Sequence, residues 1–110
     1  MKIKHKTMQN TYYVIVRFNI QQEQFQTLHS LITAFFEQEV HAAPGFISSQ
    51  ILVSEDKTLV TNYATWESKE TFDTFAEEVV PKSEISKKIA DFNPVRETFY
   101  EFEYLEKSTS

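Results

Sequence analysis

Residues 61–68 read Thr-Asn-Tyr-Ala-Thr-Trp-Glu-Ser, and they carry the chain from a strand straight into a helix. Thr61, Tyr63, Thr65 and Trp66 are β-branched or aromatic, the types that suit a pleated, half-buried surface. Ser68 is a good helix N-cap, and Glu70 follows in the first turn, where the helix dipole favours negative charge. Beyond it Phe72, Phe75, Ala76 and Val79 recur at helical spacing until Pro81 interrupts. Side chains alternate along a strand, so Asn62, Ala64 and Trp66 share one face and Thr61, Tyr63 and Thr65 the other. Trp66 is the last strand residue before the cap, so its face is expected to look toward the helices.

The rest of the chain parses outward from this junction. Residues 46–53 read as a strand and 54–57 as a tight turn, so residues 58–66 return as the second arm of a hairpin. Upstream, residues 12–20 form a first strand, with Asn19 and Gln22 as a capping pair. A helix follows, with apolar positions at 25, 28, 32, 35 and 36, expected to stop near Ala43 ahead of Pro44-Gly45. Gly45 is the only glycine in the protein, which marks a turn that requires one. Downstream, residues 83–92 look like a short helix and residues 95–105 alternate as a last strand. The order β-α-β-β-α-β, with an extra helical turn, predicts an α+β, ferredoxin-like fold with an antiparallel sheet. One sheet face is covered by helices in that fold. Tyr100, Phe102 and Tyr104 on one parity of the last strand, and Val95 and Phe99 on the other, leave both faces apolar. That predicts a partner sheet, most simply a homodimer through the sheet faces. The expected limits are a flexible N-terminal arm over 1–11, a single domain over 12–106, and a tail over 107–110.

Composition removes several functions. The net charge is −5, and no basic cluster follows Lys2, Lys4 and Lys6, so nucleic acid is not an expected partner. No stretch is long enough to cross a bilayer, no apolar run follows the Lys-rich arm, and there is no cysteine. The expectation is a cytoplasmic protein without a membrane partner. Three scattered histidines offer no metal-ligand spacing, and one glycine cannot build a phosphate cradle. Ten Phe, five Tyr and one Trp would fill a small core; they would equally suit a pocket for a flat ring.

Two side chains stand out chemically. Asn62 lies four residues before Trp66 on the helix-facing side, and a buried amide among phenylalanines is costly unless hydrogen-bonded. It either ties down a neighbouring backbone group or points into a ligand cavity beneath the helices. His29 lies on the first helix beside Phe25, Ile32 and Phe36; it is either a proton acceptor or a half-exposed boundary histidine.

Pro44-Gly45-Phe46, Leu52, Asp56, and Asn62-Tyr-Ala-Thr-Trp66-Glu67-Ser68 followed by Phe72 and Phe75 resemble the antibiotic biosynthesis monooxygenase family. The resemblance spans about residues 12–105. It implies a dimeric α/β barrel, in which two sheets face each other and each subunit holds a cavity between sheet and helices. Several members oxidise phenolic polyketides or quinols with oxygen, without flavin, haem or metal. By that resemblance Asn62 and Trp66 are candidate catalytic residues; His29 joins them as a candidate on its own chemistry, as a proton acceptor. Phe25, Ile32, Phe36, Phe72 and Phe75 are candidate substrate-binding residues for a small aromatic ligand, with no cofactor. Two departures accompany it: Phe72 stands where some members carry a tyrosine, and no arginine occurs between Arg17 and Arg96, so the later helices lack a cationic clamp. Two other readings are a non-enzymatic dimeric ligand-binding or stress-related module and, less favoured, a haem-degrading monooxygenase. The latter would need a histidine on the later helices, and residues 68–94 contain none.

Overall fold

The computed structural model describes residues 11–108. The chain runs β1 (Tyr12–Asn19), α1 (Phe25–Phe35), β2 (Phe46–Val53), β3 (Leu59–Trp66), α2 (Lys69–Glu78), α3 (Glu84–Ala90) and β4 (Val95–Tyr100). The sheet is antiparallel with strand order β2-β3-β1-β4, the ferredoxin-like arrangement expected from the element order.

The helices cover one face. Tyr12 and Val14 of β1 and Ala64 and Trp66 of β3 are buried against Phe72 and Phe75 of α2. A second buried cluster joins Phe18, Ile20, Leu28, Ile32 and Val60, and Val16 packs against both. Trp66 is ringed by Phe46, Phe72 and Phe75, with centroids 5.2–5.4 Å away. Replacing so fully packed an aromatic by alanine costs about 3–5 kcal/mol.

Local chemistry sets the element ends. The Ser68 hydroxyl accepts the Thr71 N–H at 3.2 Å, the cap expected from sequence. Gly45 adopts φ +87°, and its missing side chain leaves room for Thr71: a Cβ there would sit 2.3 Å from Thr71 Cβ. The lone glycine therefore serves both the turn and the docking of α2 on that turn. Asp56 closes the β2–β3 turn by accepting from Ser54 Oγ at 2.8 Å, Thr58 Oγ1 at 2.7 Å and the Thr58 N–H at 3.1 Å. These bonds hold its carboxyl below the ordinary value.

Four expectations need correction. The entry to α1 is capped two residues later than expected, where the Gln21 N–H donates to Gln24 Oε1 at 2.9 Å and a 3-10 turn spans Gln22–Gln24. The α-helix ends at Phe35, and a π-helical turn, Phe36–Val40, replaces its last stretch. Its wider winding lets Val40 and Ala43 pack against the Trp66 cluster. The last strand stops at Tyr100, because its partner β1 begins at Tyr12, directly opposite. One further bond joins the Glu101 N–H to the Thr11 carbonyl, and Phe102 and Leu105 then stand 99% and 82% exposed. The alternation to Leu105 has no neighbouring strand among the described residues to pair with. Residues 1–10 of the expected arm lie outside the described residues, while Thr11 is buried.

Candidate functional site

Between the helix-facing side of the sheet and the helices lies a cavity of about 470 Å³, within the usual range for small-molecule sites. Its walls are mostly Val, Ile and Phe from β1, α1 and α2. The polar groups are few: Thr33, Ser49, Asn62, Ser86, Arg96 and the indole N–H of Trp66.

A β-bulge brings two of the walls onto one face. Phe46 pairs with Trp66, but Ser48 pairs with Thr65, so Ile47 is an extra residue in β2. Strict alternation would put residues 46 and 49 on opposite faces; the bulge turns both Phe46 and Ser49 toward the cavity. Ser49 is paired with Ala64, and its hydroxyl donates a hydrogen bond to the Asn62 side-chain oxygen. That bond orients the amide: its oxygen is engaged, and its NH₂ donors face away from Ser49 with no acceptor among the described residues. No buried side-chain N or O atom of the described residues lacks a partner, so the open amide nitrogen is accessible from the cavity. The same holds for the Trp66 N–H, on a side chain only 2% exposed.

Register places a cation in the same row. Val16 pairs with Asn62 on one side and Arg96 on the other, so Ile51, Asn62, Val16 and Arg96 form one line across four strands. Two strand spacings separate Asn62 from Arg96, about 10 Å between their Cα atoms. The Arg96 guanidinium carbon lies 5.4 Å from the centroid of Phe72, a cation–π contact.

Of the sequence-nominated residues, Asn62, Trp66, Ile32, Phe36, Phe72 and Phe75 line this one cavity. Phe25 and His29 do not. His29 is exposed and stacks on Phe25 at 5.8 Å, while the Lys57 ammonium covers the Phe25 ring at 5.3 Å. Successive helical residues are about 100° apart; with Leu28 and Ile32 turned into the core, His29 is carried round to solvent. His41 is exposed as well. Among the described residues that line the cavity none is a histidine, cysteine, methionine or tyrosine, the kinds that hold haem iron. Among the described residues no group of acidic, His or Cys side chains is placed to hold a metal ion, and no helix is long and apolar enough to cross a membrane.

Sequence reading missed Ser49 and Arg96. Ser49 is visible only once the bulge is known. The alternation of β4 puts Arg96 on the face opposite Val95 and Phe99, a signal present in the sequence, on the last strand and not on the later helices.

The profile of the family described as "Antibiotic biosynthesis monooxygenase" matches residues 11–78. Comparison with the curated proteins finds no match. Several solved structures share the fold at low sequence identity. A monooxygenase from the gene ActVA-Orf6 of Streptomyces coelicolor, in complex with nanaomycin D, superposes with a TM-score of 0.77 at 20% identity, covering 96% of this chain and 100% of that one. A variant of SnoaB, a cofactor-independent oxygenase from Streptomyces nogalater, gives a TM-score of 0.66 at 16% identity, over 89% and 99% of the two chains. Rv0793 from Mycobacterium tuberculosis gives 0.66 at 16% identity, over 87% and 99%.

Proposed function

Since the chain belongs to the antibiotic biosynthesis monooxygenase family, we propose that its cavity binds a small electron-rich aromatic (a phenol, quinol or anthrone) and lets it react with molecular oxygen without flavin, haem or metal. The observation that carries this reading is the pair of donors, the Asn62 amide and the Trp66 N–H, left without acceptors among the described residues in a mostly apolar cavity. Such preorganised donors stabilise an oxyanion most where water is excluded.

The chemistry follows from the walls. Among the lining residues none is a base that titrates near neutrality, so the substrate loses its proton to solvent. Its anion, held at oxygen by Asn62 and Trp66, gives one electron to O₂. Superoxide and the substrate radical combine, forming a C–O bond and a peroxide. At an anthrone-type CH₂, the O–O bond then breaks as the second C–H proton leaves. One oxygen stays as a carbonyl and the other departs as water, taking up the two protons released. His29 has no part in this scheme.

Two copies pair through the uncovered sheet face on the same reading. Leu52, Leu59, Val95 and Phe99 lie there and are 46–55% exposed, an apolar face that a second copy would cover.

The test is oxygen uptake by the wild-type protein against a panel of phenols, quinols and anthrones, with Asn62→Ala alongside. Loss of one oxyanion donor is expected to lower kcat about 100-fold or more. Uptake at the uncatalysed rate with every substrate would leave a ligand-binding module instead, and unchanged uptake by Asn62→Ala would clear Asn62 of the role.

A further inference from the structure

Taking the cavity as the substrate site, we infer that Arg96 selects an aromatic anion: a ring carrying an acid group at the end opposite its reacting hydroxyl. Among the described residues that line the cavity, Arg96 is the only charged one. The ion pairs among the described residues are Arg17–Glu97, Lys69–Asp73 and Lys87–Glu84, and Arg96 is in none of them. Nor does it donate a hydrogen bond to any described residue; its one specific contact is the ring of Phe72. Proteins rarely aim an arginine at an apolar cavity with no carboxylate to balance it, because the guanidinium gives up part of its hydration there. A bound anion restores the balance, and the planar fork suits a carboxylate in two-point contact.

Position adds the geometry. Arg96 is exposed while lining the cavity, so it stands at the rim. Asn62 lies in the same cross-strand row, about 10 Å away at Cα, with the wall between them supplied by Val16. A flat ligand along that row meets the Asn62 amide at one end, the guanidinium at the other, and the Phe72 ring beside the guanidinium. Two or three fused rings with a hydroxyl and an acid at opposite ends match this layout. The acid also draws in the substrate already charged at neutral pH, which suits a cavity with no base of its own.

The probe is 6-hydroxy-2-naphthoate, compared with its methyl ester, titrated into the wild-type protein, Arg96→Gln and Arg96→Lys by calorimetry under argon. The wild-type protein is expected to prefer the acid over the ester by about tenfold, the size of one hydrogen-bonded charge contact. Added salt should erode the preference. Arg96→Gln should remove it by weakening the acid alone, leaving ester affinity within about twofold, and Arg96→Lys should keep part of it. Equal binding of acid and ester by the wild-type protein, binding of neither, or an equal loss of both in Arg96→Gln would overturn the inference; the last result would make Arg96 a packing residue for Phe72. Oxygen consumption plays no part in this measurement. A cavity that selects the acid but never consumes oxygen sinks the oxygenase reading alone, and uptake that ignores Arg96 and the acid sinks only this one.

Discussion

Replacing Gly45 by alanine tests how the turn before β2 positions the roof of the cavity. The new Cβ faces two separate penalties. At φ +87° an L-residue is in the left-handed region, which costs roughly 1–2 kcal/mol. The Cβ also meets Thr71, with Cβ, Oγ1 and Cγ2 at 2.3, 2.4 and 2.6 Å. Thr71 Cβ, the nearest, cannot yield without moving the first turn of α2, and forced overpacking costs roughly 1–3 kcal/mol. Together that is about 2–5 kcal/mol, a large part of the roughly 5–15 kcal/mol that holds a domain folded. Urea unfolding, followed by the fluorescence of the single tryptophan, reads it as a midpoint lower by about 1 M or more at an m-value of about 1–3 kcal/mol/M. A second substitution separates the two penalties. Thr71→Gly removes all three clashing atoms, so in that background Gly45→Ala should cost only the left-handed part. Thr71→Ala keeps the nearest atom and should rescue nothing. A neutral Gly45→Ala, or the same cost in all three backgrounds, would refute the idea that α2 docks through this glycine.

Three further outcomes are expected. Ser49→Ala leaves the Asn62 amide free to turn, so kcat for oxygen uptake should fall about fivefold, the worth of one hydrogen bond; added to Asn62→Ala, it should cost nothing more. Wild-type protein should elute at twice 12.9 kDa by light scattering, and Phe99→Asp should move it toward the monomer; a wild-type monomer would remove the sheet-to-sheet pairing. The Tyr13 phenol is pushed up to about 12, first by burial and then by its 2.6 Å hydrogen bond to Glu101. A raised folded value means that its contribution to stability is complete below the unfolded value of about 10 and is lost as pH climbs from about 10 to about 12. Tyr13→Phe should abolish that step in a stability–pH profile, and an unaltered profile would show that the bond contributes nothing.

Much of the fold was legible because local and long-range signals agreed. The Ser68 cap, the helical recurrence of Phe72 and Phe75, and the alternation that turned Asn62 and Trp66 toward the helices are all periodic or terminal patterns. What escaped was set by pairing. Whether residues 101–105 remain in a strand depends on where β1 begins, and no property of Phe102 or Tyr104 reports that. The bulge at Ile47 is a mismatch between two strands, so Ser49 had no reason to stand out in one dimension. His29 was a near miss of the helical period: it follows Leu28 by one residue, far enough round the helix to leave the cavity for solvent.

The cavity also divides the apolar interior. On one side are Trp66, Phe72 and Phe75, on the other Phe18, Leu28 and Ile32, with Val16 bridging them. Side chains that line a cavity make fewer contacts with one another than a continuous core would give them, so the cavity gives up part of the stability that the many aromatics could supply. A ligand that binds the cavity adds such contacts and raises the melting temperature, more so the tighter it binds. Heat resistance thus becomes a reporter of occupancy that needs no knowledge of the reaction. A collection of aromatic acids, screened by thermal shift alone, would rank candidate substrates before any turnover is seen.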